Sequence, residues 1–257
     1  MKTFGLIGKD IAYSLSPIIQ NEIAKAIDQH IDYHLIDIDK DALKSQITAL
    51  KQETFQGFNV TKPYKSSIMQ YVDDYSSVAL RIGAINTIML KDGLVYGDNT
   101  DYEGFKQLIL TNKIEVKDKK VVLLGNGGAA RACYLVLKDL GAEVLVASRA
   151  PLNHHALFKK MVHYEALTSD CDLYVNTVSV GIDVFNLYAF PYNDQALMID
   201  INYQKDVTQP MSYFKSSING LDMLIHQAIC SQALWLNQNI KLTPAQIKKI
   251  KAVITHE

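Results

Sequence analysis

Polar side chains of the kinds that bind small molecules and transfer protons are concentrated in four short segments of the first part of the chain. These segments lie where loops are expected to follow strands, and open α/β sheets bind their ligands at such loops. A lysine and an aspartate from two such loops can act as an acid and base pair, although each charge taken alone could simply be solvated. The four segments are Ser14-Leu15-Ser16-Pro17, Asn59-Val60-Thr61-Lys62-Pro63-Tyr64-Lys65, Asn86-Thr87 and Gly97-Asp98-Asn99-Thr100-Asp101.

Two hydroxyl groups stand immediately before a predicted helix, at Ser14 and Ser16. Pro17 suits the first turn of that helix, because its fixed φ is already helical. Two hydroxyls together with the N–H groups of a helix N-terminus can hold a carboxylate, whereas Ser16 alone could simply cap the helix. The sequence leaves both interpretations open.

A glycine-rich turn in the second half of the chain has the form GxGxxA, from Gly125 to Ala130. It follows the predicted strand 119–124 and opens a helical pattern that continues to Leu140. In this setting the first glycine makes the tight turn, the second lets the backbone approach a pyrophosphate, and a small third residue allows close helix packing. The turn therefore predicts dinucleotide binding, although an ordinary strand-to-helix turn can also require glycine.

The residues at the end of the next predicted strand, 142–148, favour one dinucleotide over another. NAD sites commonly place an acidic residue there, about 20 residues beyond the glycines, to bind the ribose 2′-hydroxyl. Here the position holds Ser148 and Arg149. An arginine can pair with a 2′-phosphate that a carboxylate would repel. The sequence therefore favours NADP over NAD, unless Arg149 is an ordinary surface residue.

Strand-like and helix-like patterns alternate along the chain, which predicts mainly parallel sheets covered by helices. Residues 85–96 are predicted to form an antiparallel hairpin instead, because Lys91-Asp92-Gly93 has turn chemistry between two apolar runs. After Leu221 the pattern is helical, with a break at Pro244. We therefore expect two α/β units joined near residue 101, followed by a helical tail. Strands are predicted at 3–8, 33–38, 55–60, 119–124, 142–148, 173–177 and 197–201, and helices at 18–27, at 42–50 and after the glycine turn.

The composition of the 257 residues excludes several classes of protein. Basic residues number 26 and acidic residues 27, a net charge of −1, so no strong field favours nucleic acid or an anionic membrane. No apolar run is long enough to span a membrane. The three cysteines are far apart, which indicates a reducing compartment and argues against disulfides or a cysteine-built metal site. We expect a soluble cytoplasmic protein that binds a small molecule, with no metal, nucleic acid or membrane as its partner.

These segments, in their order and spacing, resemble the shikimate dehydrogenase family over nearly the whole chain. All four polar segments contribute, the third extended to Gly83-Ala84-Ile85-Asn86-Thr87. The glycines from Gly125 to Gly128 and the segment Asn219-Gly220-Leu221-Asp222-Met223-Leu224-Ile225-His226-Gln227 complete the resemblance. The combination is far more specific than any one of the motifs.

The resemblance implies a two-domain α/β fold with a cleft between the domains. Residues 1–101 and 224–257 would form a substrate-binding domain with a mainly parallel sheet, and residues 102–223 a Rossmann-like NADP-binding domain. The implied activity is the reversible reduction of 3-dehydroshikimate to shikimate by NADPH, in the biosynthesis of aromatic amino acids. The protein would be a monomer or a homodimer.

The resemblance also implies roles for individual residues. Lys65 would be the catalytic acid and base, with Asp101 as its partner, while hydride moves directly between substrate and nicotinamide. Ser14 and Ser16 would bind the substrate carboxylate. The other substrate-binding residues would be Thr61, Asn86 and Gln227, which hold ring hydroxyls, and Tyr203, which lines the pocket between the domains. The NADP(H) site would comprise Gly125, Asn126, Gly127, Gly128, Ala129, Ser148, Arg149, Thr177 and Gly220.

Some positions depart from the pattern of the family. Ser148-Arg149-Ala150 keeps the arginine of the usual Asn-Arg-Thr but changes two side chains that help hold the 2′-phosphate, so the preference for NADP is expected to be weaker. Val178 stands where threonine is common, and Lys205 where proline is usual.

Two other functions compete with the one that the resemblance implies. A dehydrogenase that accepts quinate would have to fit an extra hydroxyl beside the carboxylate, and the paired serines favour shikimate instead. A non-catalytic nucleotide-binding protein with the same fold would be expected to lack Lys65 or Asp101, and both residues are present.

Overall fold

The computed structural model describes residues 1–151, 156–179, 181–203 and 208–255, and the chain divides into two compact units. Unit 1 comprises Met1–Gly104 and Ile225–Glu257, and unit 2 comprises Phe105–Leu224. The α-helices are α1 Ser16–Ala26, α2 Leu43–Lys51, α3 Ser77–Ile82, α4 Asp101–Thr111, α5 Gly128–Asp139, α6 Val184–Tyr188, α7 Leu221–Leu236 and α8 Pro244–Thr255. Within the described parts of the chain, no helix is long and apolar enough to cross a membrane.

A six-stranded sheet forms the centre of unit 1. Its strands are β1 Lys2–Gly8, β2 Ile31–Asp37, β3 Gly57–Val60, β4 Asp74–Tyr75, β5 Thr87–Lys91 and β6 Leu94–Asp98. They lie in the order β2-β1-β3-β5-β6-β4. The pairings β1–β2, β1–β3 and β4–β6 are parallel, whereas β3–β5 and β5–β6 are antiparallel. The prediction of a mainly parallel sheet is therefore confirmed.

The antiparallel part of this sheet is the hairpin predicted from its turn residues. β5 and β6 are joined by Asp92 and Gly93, which have positive φ angles of 52° and 78°. Positive φ at both central residues matches the right-handed twist of the flanking strands. The first residue of β5, Thr87, lies opposite the last residue of β6, Asp98. The hairpin thus brings two of the polar segments side by side at one end of the sheet.

Trp235, the single tryptophan of the sequence, fixes α7 to the sheet of unit 1. Its Nε1 donates a hydrogen bond to the carbonyl oxygen of Ile88 at 3.1 Å, and its ring stacks on Phe4 with 4.6 Å between the centroids. A Cβ added to Gly57 in β3 would stand 2.3 Å from Nε1. The absence of a side chain at Gly57 therefore allows the indole to lie against the strand.

Unit 2 contains a six-stranded sheet in which every pairing is parallel. Its strands are β7 Lys120–Leu124, β8 Glu143–Ala147, β9 Met161–Val162, β10 Leu173–Asn176, β11 Leu197–Asp200 and β12 Ser216–Asn219. The spatial order β9-β8-β7-β10-β11-β12 is the 3-2-1-4-5-6 order of the Rossmann fold, which confirms that prediction. The order reverses between β7 and β10, and open α/β sheets bind ligands at such a switch point.

Apolar surfaces cover the sheet of unit 2. Residues 130–137 of α5 are all buried. Besides these helix residues, unit 2 contains a core cluster that is rich in aromatic rings, among them Tyr174 and Phe214, whose centroids lie 5.2 Å apart. Val178, one of the residues that depart from the family pattern, packs against this cluster. Its apolar side chain is therefore explained by core packing.

Several short elements were absent from the sequence prediction. β4 and β9 contain two residues each, too few to show a strand period. The polar sequence Ser-Ser-Ile-Asn of β12 carries little strand propensity, and it pairs in parallel with β11 at the edge of the sheet. The six-residue helix α3 is defined by its ends, because Ser76 accepts from the N–H of Ala79 and Gly83 closes the helix in the left-handed region. Tertiary contacts and caps, more than periodicity, specify these pieces.

We expect Gly57→Ala to destabilise unit 1, because the new Cβ would force the Trp235 indole away from β3. Overpacking of this kind commonly costs about 1–3 kcal/mol. Thermal unfolding measures the loss, and the emission maximum of the single tryptophan reports the displacement. The cost should shrink when Trp235 is first replaced by phenylalanine. An unchanged melting temperature and emission maximum in Gly57→Ala would contradict this packing.

Candidate active site

A lysine–carboxylate ion pair joins the loop after β3 to the start of α4. The Nζ atom of Lys65 lies 2.5 Å from Oδ2 of Asp101. The Asp101 side chain is 8% exposed and the Lys65 side chain 22%, so the carboxylate is buried while the ammonium group is partly accessible. A partly accessible ammonium group of fixed position can exchange a proton with a molecule bound beside it.

Backbone contacts hold these two segments independently of the ion pair. The carbonyl oxygen of Lys65 accepts from the N–H of Ile85 at 2.7 Å. The hydroxyl of Tyr64 donates to the carbonyl oxygen of Ile38 at 2.6 Å. Asp101 is the first residue of α4, where the helix dipole favours a negative charge. Both charged side chains therefore extend from fixed backbone.

The side chain of Asn86 orients the carboxylate of Asp101. Its Nδ2 donates to Oδ1 of Asp101 at 2.9 Å, and its Oδ1 accepts from the backbone N–H of Thr100 at 2.7 Å. Because a backbone N–H can only donate, the amide has its oxygen toward Thr100 and its NH2 group toward Asp101. The two oxygens of Asp101 are thus divided between Asn86 and Lys65, and the carboxylate has one orientation.

A buried group of polar side chains is centred on Asn59 in β3. Oδ1 of Asn59 accepts from the hydroxyl of Tyr33 at 2.8 Å and from Nε2 of Gln20 at 3.1 Å. Its Nδ2 donates to Thr87 at 3.1 Å and to Ser231 at 2.8 Å. Burial raises the pKa of Tyr33 well above its ordinary value, so the phenol keeps its proton and stays a donor. Both ends of the Asn59 amide are therefore satisfied within the protein.

Ser14 and Ser16 lie together at the start of α1. The N–H of Ser16 donates to Oγ of Ser14 at 3.2 Å, and the two hydroxyl oxygens are 3.1 Å apart. Ser16 is the first helical residue and Leu15 is the N-cap, with no side-chain capping bond. The alternative that Ser16 caps the helix is therefore wrong. Two partly exposed hydroxyls beside a helix N-terminus suit a carboxylate ligand.

Thr61 and Gln227, the other predicted substrate residues of the core site, come from different elements of unit 1. Thr61 follows β3 directly, and its carbonyl oxygen accepts from the N–H of Tyr64 at 2.9 Å in the turn that leads to Lys65. Gln227 in α7 has its Oε1 3.5 Å from Oγ1 of Thr100. Both side chains are partly exposed. The structure thus brings Gln227 to the segment that carries Asp101.

The glycine turn follows β7 at the switch point of unit 2. Gly125 has a φ of +106°, and a Cβ there would stand 2.5 Å from the hydroxyl oxygen of Thr177. Both the backbone angle and the close approach require glycine. Gly127 has an ordinary φ of −76°, and no described atom lies within 4 Å of a Cβ added there. Packing therefore explains the first glycine and not the second, beside which the space is open.

The residues around this open space fit a pyrophosphate. Gly128 and Ala129 begin α5, and a helix leaves its first N–H groups without partners inside the helix and presents its positive dipole end. Asn126 and Gly127 precede them in the turn. The hydroxyl of Thr177 donates to the carbonyl oxygen of Leu124 at 2.7 Å, which ties the ends of β10 and β7 together. Short side chains let an anion approach the backbone here.

The residues predicted to read the 2′-phosphate follow β8. Ser148 is buried, and its Oγ accepts from the N–H of Ala150 at 3.2 Å. Arg149 is exposed. Burial raises the pKa of nearby Tyr164 to about 12, and the positive charge of Arg149 opposes that rise. Because Arg149 is exposed, its guanidinium is accessible to an anion, whereas the Ser148 hydroxyl is engaged by the N–H of Ala150.

Two further predicted residues lie in the loops after β11 and β12. A Cβ on Gly220 would stand 2.0 Å from the carbonyl oxygen of Ile201, so packing alone accounts for this glycine. Its assignment to the cofactor site stays a prediction. Tyr203 is half-buried, and its contribution to a substrate pocket also stays a prediction. Lys205 lies outside the described residues.

Thiol chemistry is disfavoured at two of the three cysteines. Burial raises the pKa of Cys171 to about 11 and that of Cys230 to about 12, so both keep their protons and are poor nucleophiles. Among residues 1–151, 156–179, 181–203 and 208–255, no three His, Cys, Asp or Glu side chains are placed to hold a metal ion.

None of the sequence motifs points to Ser231. It lies one turn after Gln227 and one turn before Trp235, so the three residues share one side of α7. Ser231 is fully buried. A hydroxyl residue at helical spacing between a candidate ligand-binding residue and a core tryptophan is the signal that could have identified it.

Comparisons with known proteins show which family this chain resembles. Residues 6–88 match the family described as the shikimate dehydrogenase substrate binding domain. The chain is 34% identical over 248 residues to the shikimate dehydrogenase (NADP(+)) of Clostridium beijerinckii, a match that covers 91% of this chain and 92% of that protein. A second relative of the same name, from Methanococcoides burtonii, is 32% identical over 249 residues, again with 91% and 92% covered.

A solved structure extends the likeness to the fold. The crystal structure of shikimate 5-dehydrogenase from Thermus thermophilus in complex with NADP(H) and shikimate has a TM-score of 0.87 and 28% sequence identity. The match covers 99% of this chain and 100% of that chain.

A sheet of Rossmann order with a glycine turn at its switch point, together with a lysine–aspartate pair on a separate α/β unit, is typical of dinucleotide-dependent dehydrogenases. Two of the relatives are more than 30% identical to this chain over about nine-tenths of their length, which narrows the class to one family. The chain belongs to the shikimate dehydrogenase family.

The two glycines of the turn should respond differently to the same substitution. We expect Gly125→Ala to lower the melting temperature by several degrees, because alanine disfavours a φ of +106° and its Cβ would press on Thr177. Gly127→Ala should melt near the wild-type temperature. Thermal unfolding of both variants checks this, and equal losses would contradict the distinction.

Proposed function

We propose that this protein catalyses the reversible NADPH-dependent reduction of 3-dehydroshikimate to shikimate. The observation that carries the proposal is the partly buried ion pair between Lys65 and Asp101. It lies in a chain whose relatives are named shikimate dehydrogenase (NADP(+)), and Lys65 itself falls within the part that matches the substrate binding domain of that family.

The substrate is held by groups whose chemistry matches its own. In the proposal, its carboxylate is bound by the hydroxyls of Ser14 and Ser16 and by the N-terminus of α1, where negative charge is favoured. Its ring hydroxyls are bound by Thr61, Asn86 and Gln227, which offer both donors and acceptors. Binding at both ends fixes the ring and presents its carbonyl group to Lys65, so that the reacting atoms are oriented before the reaction.

Lys65 moves the proton. In the direction of reduction, its ammonium group donates a proton to the carbonyl oxygen as the C=O π bond breaks and the carbon accepts a hydride. In the reverse direction, the neutral amine takes the proton from the hydroxyl group. Asp101 orients the amine through the 2.5 Å contact and balances its positive charge. Asn86 holds Asp101 and contacts the substrate, which links binding to the position of the acid.

NADPH supplies the hydride when it is bound. Gly125, Asn126, Gly127, Gly128, Ala129 and Thr177 would hold the pyrophosphate at the N-terminus of α5. Arg149 would pair with the 2′-phosphate, with Ser148 shaping its loop through the bond to Ala150. In the proposal, Gly220 would belong to the cofactor site and Tyr203 to the substrate pocket. A cytoplasmic location and a monomeric or homodimeric state are likewise predictions.

The first experiment measures initial rates of nicotinamide reduction with shikimate or quinate, each with NADP or NAD, at matched concentrations. We expect fast turnover with shikimate and NADP. Comparable rates with quinate would assign the protein to the dual-specificity dehydrogenases. An absence of turnover with all four pairs, in protein that is folded by circular dichroism, would support the non-catalytic alternative.

Replacement of Lys65 by methionine should lower kcat by about 10²–10⁴-fold, the contribution typical of a general acid or base. The KM for shikimate should change by no more than about tenfold, or 1.4 kcal/mol, because the other binding groups remain. Lys62→Met is the matched control, since Lys62 is an exposed lysine of the same loop. Turnover of Lys65→Met near that of the control would rule out the proton-transfer role.

Replacement of Arg149 by alanine should raise the KM for NADP much more than the KM for NAD, because only NADP carries the 2′-phosphate. Lys138→Ala serves as the control, since it removes an exposed cation at the opposite end of α5. Steady-state kinetics with both cofactors measures the ratio. Equal losses for NADP and NAD would refute the assignment of Arg149.

A further inference from the structure

Thr87, the first residue of β5, has a buried side chain directly beside Asn86. Its Oγ1 lies 3.0 Å from Oδ1 of Asn86 and 3.1 Å from Nδ2 of Asn59. Ser231 of α7 lies 2.9 Å from the same hydroxyl. None of the roles proposed above includes this threonine, although it connects β3, α7 and the loop of Asn86.

The direction of the hydrogen bonds around Thr87 follows from the donors. The amide of Asn59 is fixed because its Nδ2 also donates to the backbone carbonyl oxygen of Asn86, which can only accept, so Nδ2 is the donor toward Thr87. Thr87 therefore accepts from Asn59. Its one proton can reach Oδ1 of Asn86 at 3.0 Å or Oγ of Ser231 at 2.9 Å, and we take the amide oxygen of Asn86 as the acceptor. Asn86 in turn donates through Nδ2 to Asp101. The sequence of donors runs from Asn59 through Thr87 and Asn86 to Asp101.

We propose that Thr87 is a positioning residue for the reaction: its hydroxyl holds the Asn86 amide and thereby sets the Asp101 carboxylate and the Lys65 amine. The inference rests on the proposed function, because it gives Thr87 a role in that same site. Thr87 touches neither Lys65 nor Asp101 in the bonds described. Its influence passes through Asn86, whose Oδ1 it shares with the N–H and the hydroxyl of Thr100.

A pair of substitutions separates the hydroxyl of Thr87 from its shape. Thr87→Val keeps the branched side chain and removes the donor, whereas Thr87→Ser keeps the donor and removes a methyl group. We expect Thr87→Val to lose about tenfold or more in kcat/KM for shikimate, the scale of one hydrogen bond. Much of the loss should fall on kcat. Thr87→Ser should stay within about threefold of wild type, which is rescue by the conservative variant.

Ile47→Val provides the stability control, because it removes one buried methyl group from the core of the same unit. It should lower the melting temperature and leave kcat unchanged at temperatures well below unfolding. A kcat for Thr87→Val equal to that of wild type would overturn the proposal. Equal losses in the valine and serine variants would overturn it too, because the hydroxyl would then not be the group that matters.

A second measurement needs no substrate and so separates this inference from the proposed function. In ¹⁵N-labelled protein, the side-chain NH2 resonances of Asn86, identified by their absence in Asn86→Ala, should shift in Thr87→Val and stay near their wild-type positions in Thr87→Ser. Unchanged Asn86 resonances in Thr87→Val would overturn the inference even if the enzyme were active. Shifted resonances in a protein without turnover would support the positioning and refute the proposed reaction.

Discussion

A buried amide must have partners for both of its ends, and in unit 1 this requirement governs the site. Leaving such a group unpaired costs about 1–3 kcal/mol. Asn59 is restricted to one orientation by a backbone carbonyl that can only accept, and Asn86 by a backbone N–H that can only donate. The orientation of Asn86 then fixes Asp101, which in turn fixes Lys65. Asp101 and Lys65 are thus the last members of a series of hydrogen-bonded side chains that begins in the core.

The side chains of this hydrogen-bonded series come from three separate elements of unit 1. β3 contributes Asn59, the start of β5 contributes Thr87, and α7 contributes Ser231. Trp235 holds α7 against Gly57, so that the polar side of this helix meets the ends of the strands. Apolar packing at one end of the helix and hydrogen bonds one turn away therefore support one another.

The candidate site of unit 2, at the glycine turn, is formed by backbone groups more than by side chains. Gly125 is required by its angle and by Thr177, whereas Gly127 and the start of α5 provide space and N–H groups. Ser148 is buried with a turn-forming bond to Ala150 and Arg149 is exposed, so in the proposed function a single guanidinium would carry the discrimination between NADP and NAD.

The sequence by itself determined what depends on local spacing and residue type: the Rossmann turn from Gly125, the hairpin at Asp92-Gly93, and the motifs that carry Lys65 and Asp101. Those signals are short-range, because a turn or a helix start is specified by a few adjacent residues. Only the tertiary structure decided which partners meet. The contact of Asn59 with Ser231 joins residues 172 positions apart, and β12 and β4 pair only because neighbouring strands offer them an edge. Local sequence pattern does not specify such long-range contacts, since they arise when packed elements bring buried donors to face buried acceptors.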